Sequence, residues 1–231
     1  MDPGDILRRG LAHASEGRHE EALTDYLWFH KHALEHERAY YGVRLSFALA
    51  YWKELSNVYP PAAAAMKTVR DETAAALLRV EGNTRTLFDE VAAIDRELGL
   101  SRDTYELFLS LMMKDPDRAG KCAELALPSI VEAEDYKLAT QFLPHPEDYL
   151  LYESERLNEN LARKVLPRSR ALAELDAFVH IYCDDVKLLL RVLEGIGEKA
   201  WRRASVEWAI ALVGSRKART MVALRLTLGD A

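Results

Sequence analysis

Three features of the amino-acid sequence predict an all-α fold. Glycine and proline are scarce, 11 and 8 among 231 residues, and a β-rich chain of this length would draw heavily on both for its turns. Ala, Leu, Glu and Arg, all good helix formers, dominate the composition. Apolar and small residues recur every three or four positions, the spacing of a helix face.

The first helix opens at Asp2-Pro3, where Asp caps free N–H groups and Pro tolerates the first turn. Ile6, Leu7, Gly10, Leu11 and Ala14 follow at helical spacing, and Gly17 ends the helix. In the second helix Ala22, Tyr26, Phe29 and Ala33 form one stripe. A third helix is expected over about 38–57, ended by Tyr59-Pro60-Pro61, and an Ala-rich fourth over about 61–80. Glu81-Gly82-Asn83 is a strong stop and marks a candidate sub-boundary near 81–84. Further helices are expected at about 84–98 (stripe Leu87, Val91, Ile94, Leu98), 101–113, 115–126 and 128–142. Pro144-His145-Pro146 breaks the pattern, and helices at about 147–165, 168–193, 198–213 and 215–228 complete a set of about twelve.

The first pair, Ile6 to His36, resembles a tetratricopeptide repeat. Gly10, Gly17, Ala22 and Tyr26 stand at the mutual spacings where that family places its small residue, its turn glycine, the Ala of the second helix and its aromatic. Ala48 and Tyr51 fit the pattern again. His13 and His19 replace residues for which the family prefers aromatics, and no Pro closes the repeat near Leu34. The resemblance implies a right-handed superhelix (an α-solenoid) of stacked antiparallel helix pairs, read as a single domain over 1–231. It also implies a concave groove lined by Leu11, Ser15, Leu45, Trp52 and Lys53, which would bind a protein or peptide partner.

The net charge of −6 argues against a dedicated nucleic-acid binder. The charge is uneven. From Gly195 onward there are seven basic and three acidic residues, about +4, against about −10 for the remainder. Cys122 and Cys183 form no Cys-x-x-Cys pair, which points to a reducing, cytoplasmic setting. No run approaches the roughly 18–20 apolar residues of a membrane span, and the N-terminus does not read as a signal peptide.

Among chemical motifs, His32-Ala33-Leu34-Glu35-His36 matches the His-x-x-Glu-His order of inverted zinc peptidases, with two imidazoles on one helix face and a Glu as base. A solvated helix end is the preferred reading, since no third ligand is evident. Five of the seven His fall before residue 37 and read as scattered surface and edge residues. Cys122 reads as a buried small hydrophobe, and the acids after Cys183 disfavour its thiolate. Neither a nucleophile elbow nor a phosphate loop is present in the sequence. Trp201 and Trp208, seven apart, read first as a core stripe and second as a hydrophobic end patch for a homodimer.

The expectation is therefore a non-enzymatic protein- or peptide-binding adaptor, with no cofactor, metal or catalytic residue assigned. The alternatives are a metal-dependent hydrolase built on His32, Glu35 and His36, and a regulator binding nucleic acid through the basic C-terminal end. Metal analysis decides the first alternative: it requires Zn²⁺ in the purified protein and its loss in His32→Ala/His36→Ala. Protein free of Zn²⁺ ends it.

Overall fold

Fourteen helices and no strand make up the described part of a computed structural model, which covers residues 2–79, 82–143, 145–163 and 171–227. The all-α expectation holds. In order the helices are α1 (Pro3–Ser15), α2 (His19–His36), α3 (Tyr40–Arg44), α4 (Phe47–Ser56), α5 (Pro60–Leu78), α6 (Thr84–Leu98) and α7 (Ser101–Lys114). Then come α8 (Pro116–Gly120), α9 (Ala123–Glu132), α10 (Tyr136–Phe142), α11 (Pro146–Ala162), α12 (Ala171–Gly195), α13 (Lys199–Ala211) and α14 (Arg216–Thr227). The expected helix ends at Val80, Val165 and Leu228, the start at Arg168, and the signals at Glu81 and Pro144 lie outside the described residues. The chain forms two units, residues 1–129 and 130–231, and the turn at 82–83 lies within the first.

Three expected helices, over about 38–57, 115–126 and 128–142, are interrupted, the second of them between α8 and α9 at 121–122. The first becomes α3 and α4 because Ser46 leaves helical geometry (φ −130°, ψ −96°). Its hydroxyl instead donates to the Gly42 carbonyl at 2.7 Å, competing with the backbone ladder. The expected break at Pro128 is absent, and that proline lies inside α9, on an exposed face. The break comes later, where Glu134 adopts φ 58° and the Asp135 carboxylate accepts from Leu138 N–H at 3.0 Å to start α10.

In the first unit, α1 and α2 cross closely. A Cβ at Gly10 would lie 2.8 Å from the Tyr26 ring, so only glycine allows this approach. Tyr26, Phe29, Leu49, Trp52 and Met66 form the centre of the core. The Trp52 indole N–H donates to the Ala62 carbonyl at 3.0 Å, linking α4 to the first turn of α5. Phe88 and Phe108 meet edge-to-face at 6.1 Å and join α6 to α7.

The second unit is built on α12, whose Val179, Tyr182, Val186, Leu189 and Leu193 are buried. The Tyr182 hydroxyl donates to the Ala209 carbonyl of α13 at 2.8 Å. Asn158 of α11 donates to the Leu212 carbonyl at 3.0 Å and accepts from Gly214 N–H at 2.8 Å, satisfying the end of α13. The Trp201/Trp208 core stripe is not what forms. α13 buries Ser205 and Ala209, while Trp201 is 45% exposed and Trp208 half-buried. The small residues permit the close approach that Tyr182 requires, which turns the indoles to the flanks.

Gly10→Ala should overpack the α1–α2 crossing and cost about 1–3 kcal/mol. The urea midpoint should fall at unchanged m-value. An unchanged midpoint would contradict the close packing of Tyr26.

Candidate functional site

A single buried carboxylate joins four helices of the first unit. Glu90 lies on the apolar stripe of α6, three residues after Leu87 and four before Ile94, so it points into the core. Its Oε1 is 3.0 Å from Nε2 of His30 on α2. Its Oε2 is 2.6 Å from Nη2 of Arg44, the last residue of α3. The Thr73 hydroxyl of α5 lies 3.2 Å from Oε1 and also donates to the Val69 carbonyl at 2.8 Å. The Arg44 Nε–H donates to the His30 carbonyl at 2.5 Å, which fixes the guanidinium. The break at Ser46 ends α3 at this residue.

Electrostatics settles the protonation of the group. Burial alone would raise the Glu90 carboxyl, but the His30 hydrogen bond and the Arg44 charge outweigh it and hold the group down at about 2. Burial chiefly, with the Arg44 charge, lowers His30 against the pull of Glu90. At neutral pH the site is therefore a carboxylate–guanidinium pair beside a neutral imidazole. Nε2 of His30 thus lies between the Glu90 carboxylate, at 3.0 Å, and Nη2 of Arg44, at 3.1 Å.

Above this network lies an open cleft of about 780 Å³. Thr24, Leu27, Trp28, Lys31 and His32 of α2 form one wall, and Ala65, Thr68, Val69 and Glu72 of α5 the other. The buried residues His30, Arg44, Thr73 and Glu90 form its floor. Trp28 is held by its own helix, its ring 5.3 Å from His32 and 5.6 Å from His36. His32 Nδ1 is 3.0 Å from Glu35 Oε2. Among the described residues no three His, Cys, Asp or Glu are grouped to hold a metal ion.

The expected groove residues are not brought together here. Leu45, which caps the end of α3, and Trp52 of α4 are 6% and 1% exposed and belong to the core. Leu11 and Lys53 are half-buried. Ser15 is exposed, with its hydroxyl donating to the Ala12 carbonyl at 2.8 Å. None of the five lines the α2–α5 cleft. The residues that do form its floor carried a sequence signal, a polar side chain at stripe spacing. His30 follows Tyr26 by four and precedes Ala33 by three, and Arg44 precedes Ala48 by four.

No family model matches this chain. Comparisons with curated proteins and with solved structures also found no match.

Elsewhere the sequence candidates are largely engaged. Both thiols are buried, and burial pushes each up to about 11, away from nucleophilic chemistry. In the second unit a further cavity of about 780 Å³ is lined by Lys199, Arg202 and Arg203, with Glu194 and Glu207 among them. Arg225 pairs with Asp176 at 2.7 Å, and the Arg219 guanidinium donates to the Val213 carbonyl at 2.9 Å. Among the described residues no helix is long and apolar enough to cross a membrane.

Glu90→Gln should cost about 3–5 kcal/mol, because the Arg44 charge stays buried without its counter-charge. Denaturant titration measures this, and a loss within error of zero would refute the role of the carboxylate. The pH dependence has a definite sign. Both folded values lie below the ordinary ones, so the unfolded chain binds more protons and stability falls with acid. The fall should begin below the ordinary His value of 6.5 and steepen below the ordinary Glu value of 4.5. The Glu90 contribution should be lost near pH 2. In Glu90→Gln the step below pH 4.5 should be reduced.

Proposed function

We propose that this protein is a non-enzymatic adaptor that holds a segment of a partner protein in the α2–α5 cleft. The observation that carries this reading is the cleft itself. It combines apolar walls at Leu27, Trp28 and Val69, a lysine (Lys31) and a glutamate (Glu72) among its lining residues, and a floor fixed by the Glu90 network. Apolar anchors flanked by charges are what a groove needs to hold a peptide or helix. The likeness of the first hairpin to a tetratricopeptide repeat supports the same reading, and the close Gly10–Tyr26 approach is the packing such a hairpin requires. Two buried thiols suit a reducing, cytoplasmic setting.

A photoreactive residue at Thr68, on the cleft wall, tests the proposal against one at Glu106, exposed on α7. Crosslinks from Thr68 should fall on one partner segment. They should drop by about fivefold or more in Trp28→Ala/Lys31→Glu, whose fold is checked by circular dichroism. Equal yields from the two probe positions, or yields unchanged by the double substitution, would sink the cleft as the binding site.

A further inference from the structure

We infer that the second unit docks a second copy of this chain on the face formed by α11, α13 and α14, with the two α13 helices side by side and parallel. This face is independent of the α2–α5 cleft. α13 lies over α12, where the Tyr182 hydroxyl meets the Ala209 carbonyl, and between α11 and α14. α11 runs along one flank in the same direction as α13. Glu147 shares a cavity with Trp201, and further on Asn158 bonds the Leu212 carbonyl. α14 returns along the other flank, where Leu226 and Thr227 share a cavity with Lys199 and Arg203. Ala200, Ala204 and Ala211, all exposed, form the outward ridge of α13. Trp201, 45% exposed, and half-buried Trp208 stand on its α11 side, and Leu151 of α11, one turn beyond Glu147, is 38% exposed. Small residues on a ridge let a second helix approach closely, and the indoles beside them supply apolar area to cover.

Charge identifies the occupant. α11 carries five acids and one base, whereas α13 and α14 together carry seven bases and one acid. The one acid, Glu207, lies a turn from Arg203 and lines the same cavity. Asp148, Glu155 and Glu159 are exposed on α11, and Lys199, Arg203, Arg216 and Lys217 are exposed on the other flank. Of these, only Glu159 has an ion pair among the described residues, with Arg163 at 3.8 Å. A two-fold axis along α13 lays the acidic flank of each copy on the basic flank of the other. The heights match. Asp148 is level with Lys199 and Arg203, and Glu159 with Arg216 and Lys217, because Glu147 lies beside Trp201 and Asn158 beside Gly214. An antiparallel pairing would set like flanks together. A partner of one charge would answer only one flank.

Sedimentation velocity on the full-length chain tests the inference. Wild type should pass from 26.2 kDa towards twice that mass between about 1 and 200 µM. Two flank reversals are compared, Glu155→Lys/Glu159→Lys and Arg216→Glu/Lys217→Glu. Lysines suit the C-terminal half of α11 and glutamates the first turn of α14, so both variants should fold, as circular dichroism checks. Each alone should weaken self-association by about tenfold or more, and an equimolar mixture of the two should restore it, because every flank then meets its opposite. Ala204→Arg, on the ridge, should abolish the dimer. Wild type that stays at 26.2 kDa leaves the face to a different occupant and overturns the inference. So does a dimer that neither reversal weakens, a mixture that fails to associate, or a dimer that survives Ala204→Arg.

Discussion

The Glu90 carboxylate is the constraint on which the first unit depends. A buried negative charge is tolerable only when donors and a counter-charge surround it. Here those groups arrive from three other helices, His30 from α2, Arg44 from α3 and Thr73 from α5. Moving α2 or α3 would take a partner from the buried carboxylate. The same requirement explains the interruption at Ser46. A continuous helix through that point would carry Arg44 along a longer element, whereas the break leaves it at the end of a five-residue helix, its guanidinium tied to the His30 carbonyl.

Glu90 has two companions in the first unit. Asp25 of α2 is buried and accepts from Arg9 of α1 at 2.9 Å, with His13 at 3.2 Å. Asp95 of α6 accepts from Arg70 of α5 at 2.8 Å and from Thr104 of α7 at 2.8 Å. Each carboxylate joins helices adjacent in the chain. Such pairs add little net stability compared with an apolar replacement, but they penalise wrong alignments severely. The cleft walls belong to two of the helices aligned in this way, α2 and α5. In the second unit Tyr182 and Asn158 meet the carbonyls at the C-terminal end of α13, and Arg156 of α11 pairs with buried Glu153 and with Asp185 of α12.

Much of the helical pattern was legible from residue spacing, because burial of a stripe dictates a 3.6-residue period whatever the stripe packs against. Asp2-Pro3, Gly17, Asn83 and Gly99 act as the caps and stops their chemistry suggests. The breaks at Ser46 and Glu134 were not legible. Each depends on one side-chain or backbone choice that a long apolar pattern overrides in a linear reading. Trp52 and Lys53 looked like groove residues by family spacing. The indole instead fills the core, where its N–H meets the Ala62 carbonyl. The Trp201/Trp208 spacing likewise identified a helix face correctly but not which face is buried.

By itself the sequence determined that the chain is helical and where most helices start, because these depend on local propensity, capping and periodicity. Tertiary structure alone decided which polar residues on those stripes meet. His30, Arg44, Thr73 and Glu90 span sixty positions, and only the stacking of four helices brings them within hydrogen-bonding distance. A helix period specifies a direction for each side chain but not the partner it will face. That partner depends on crossing angles and helix breaks, and these are set by packing.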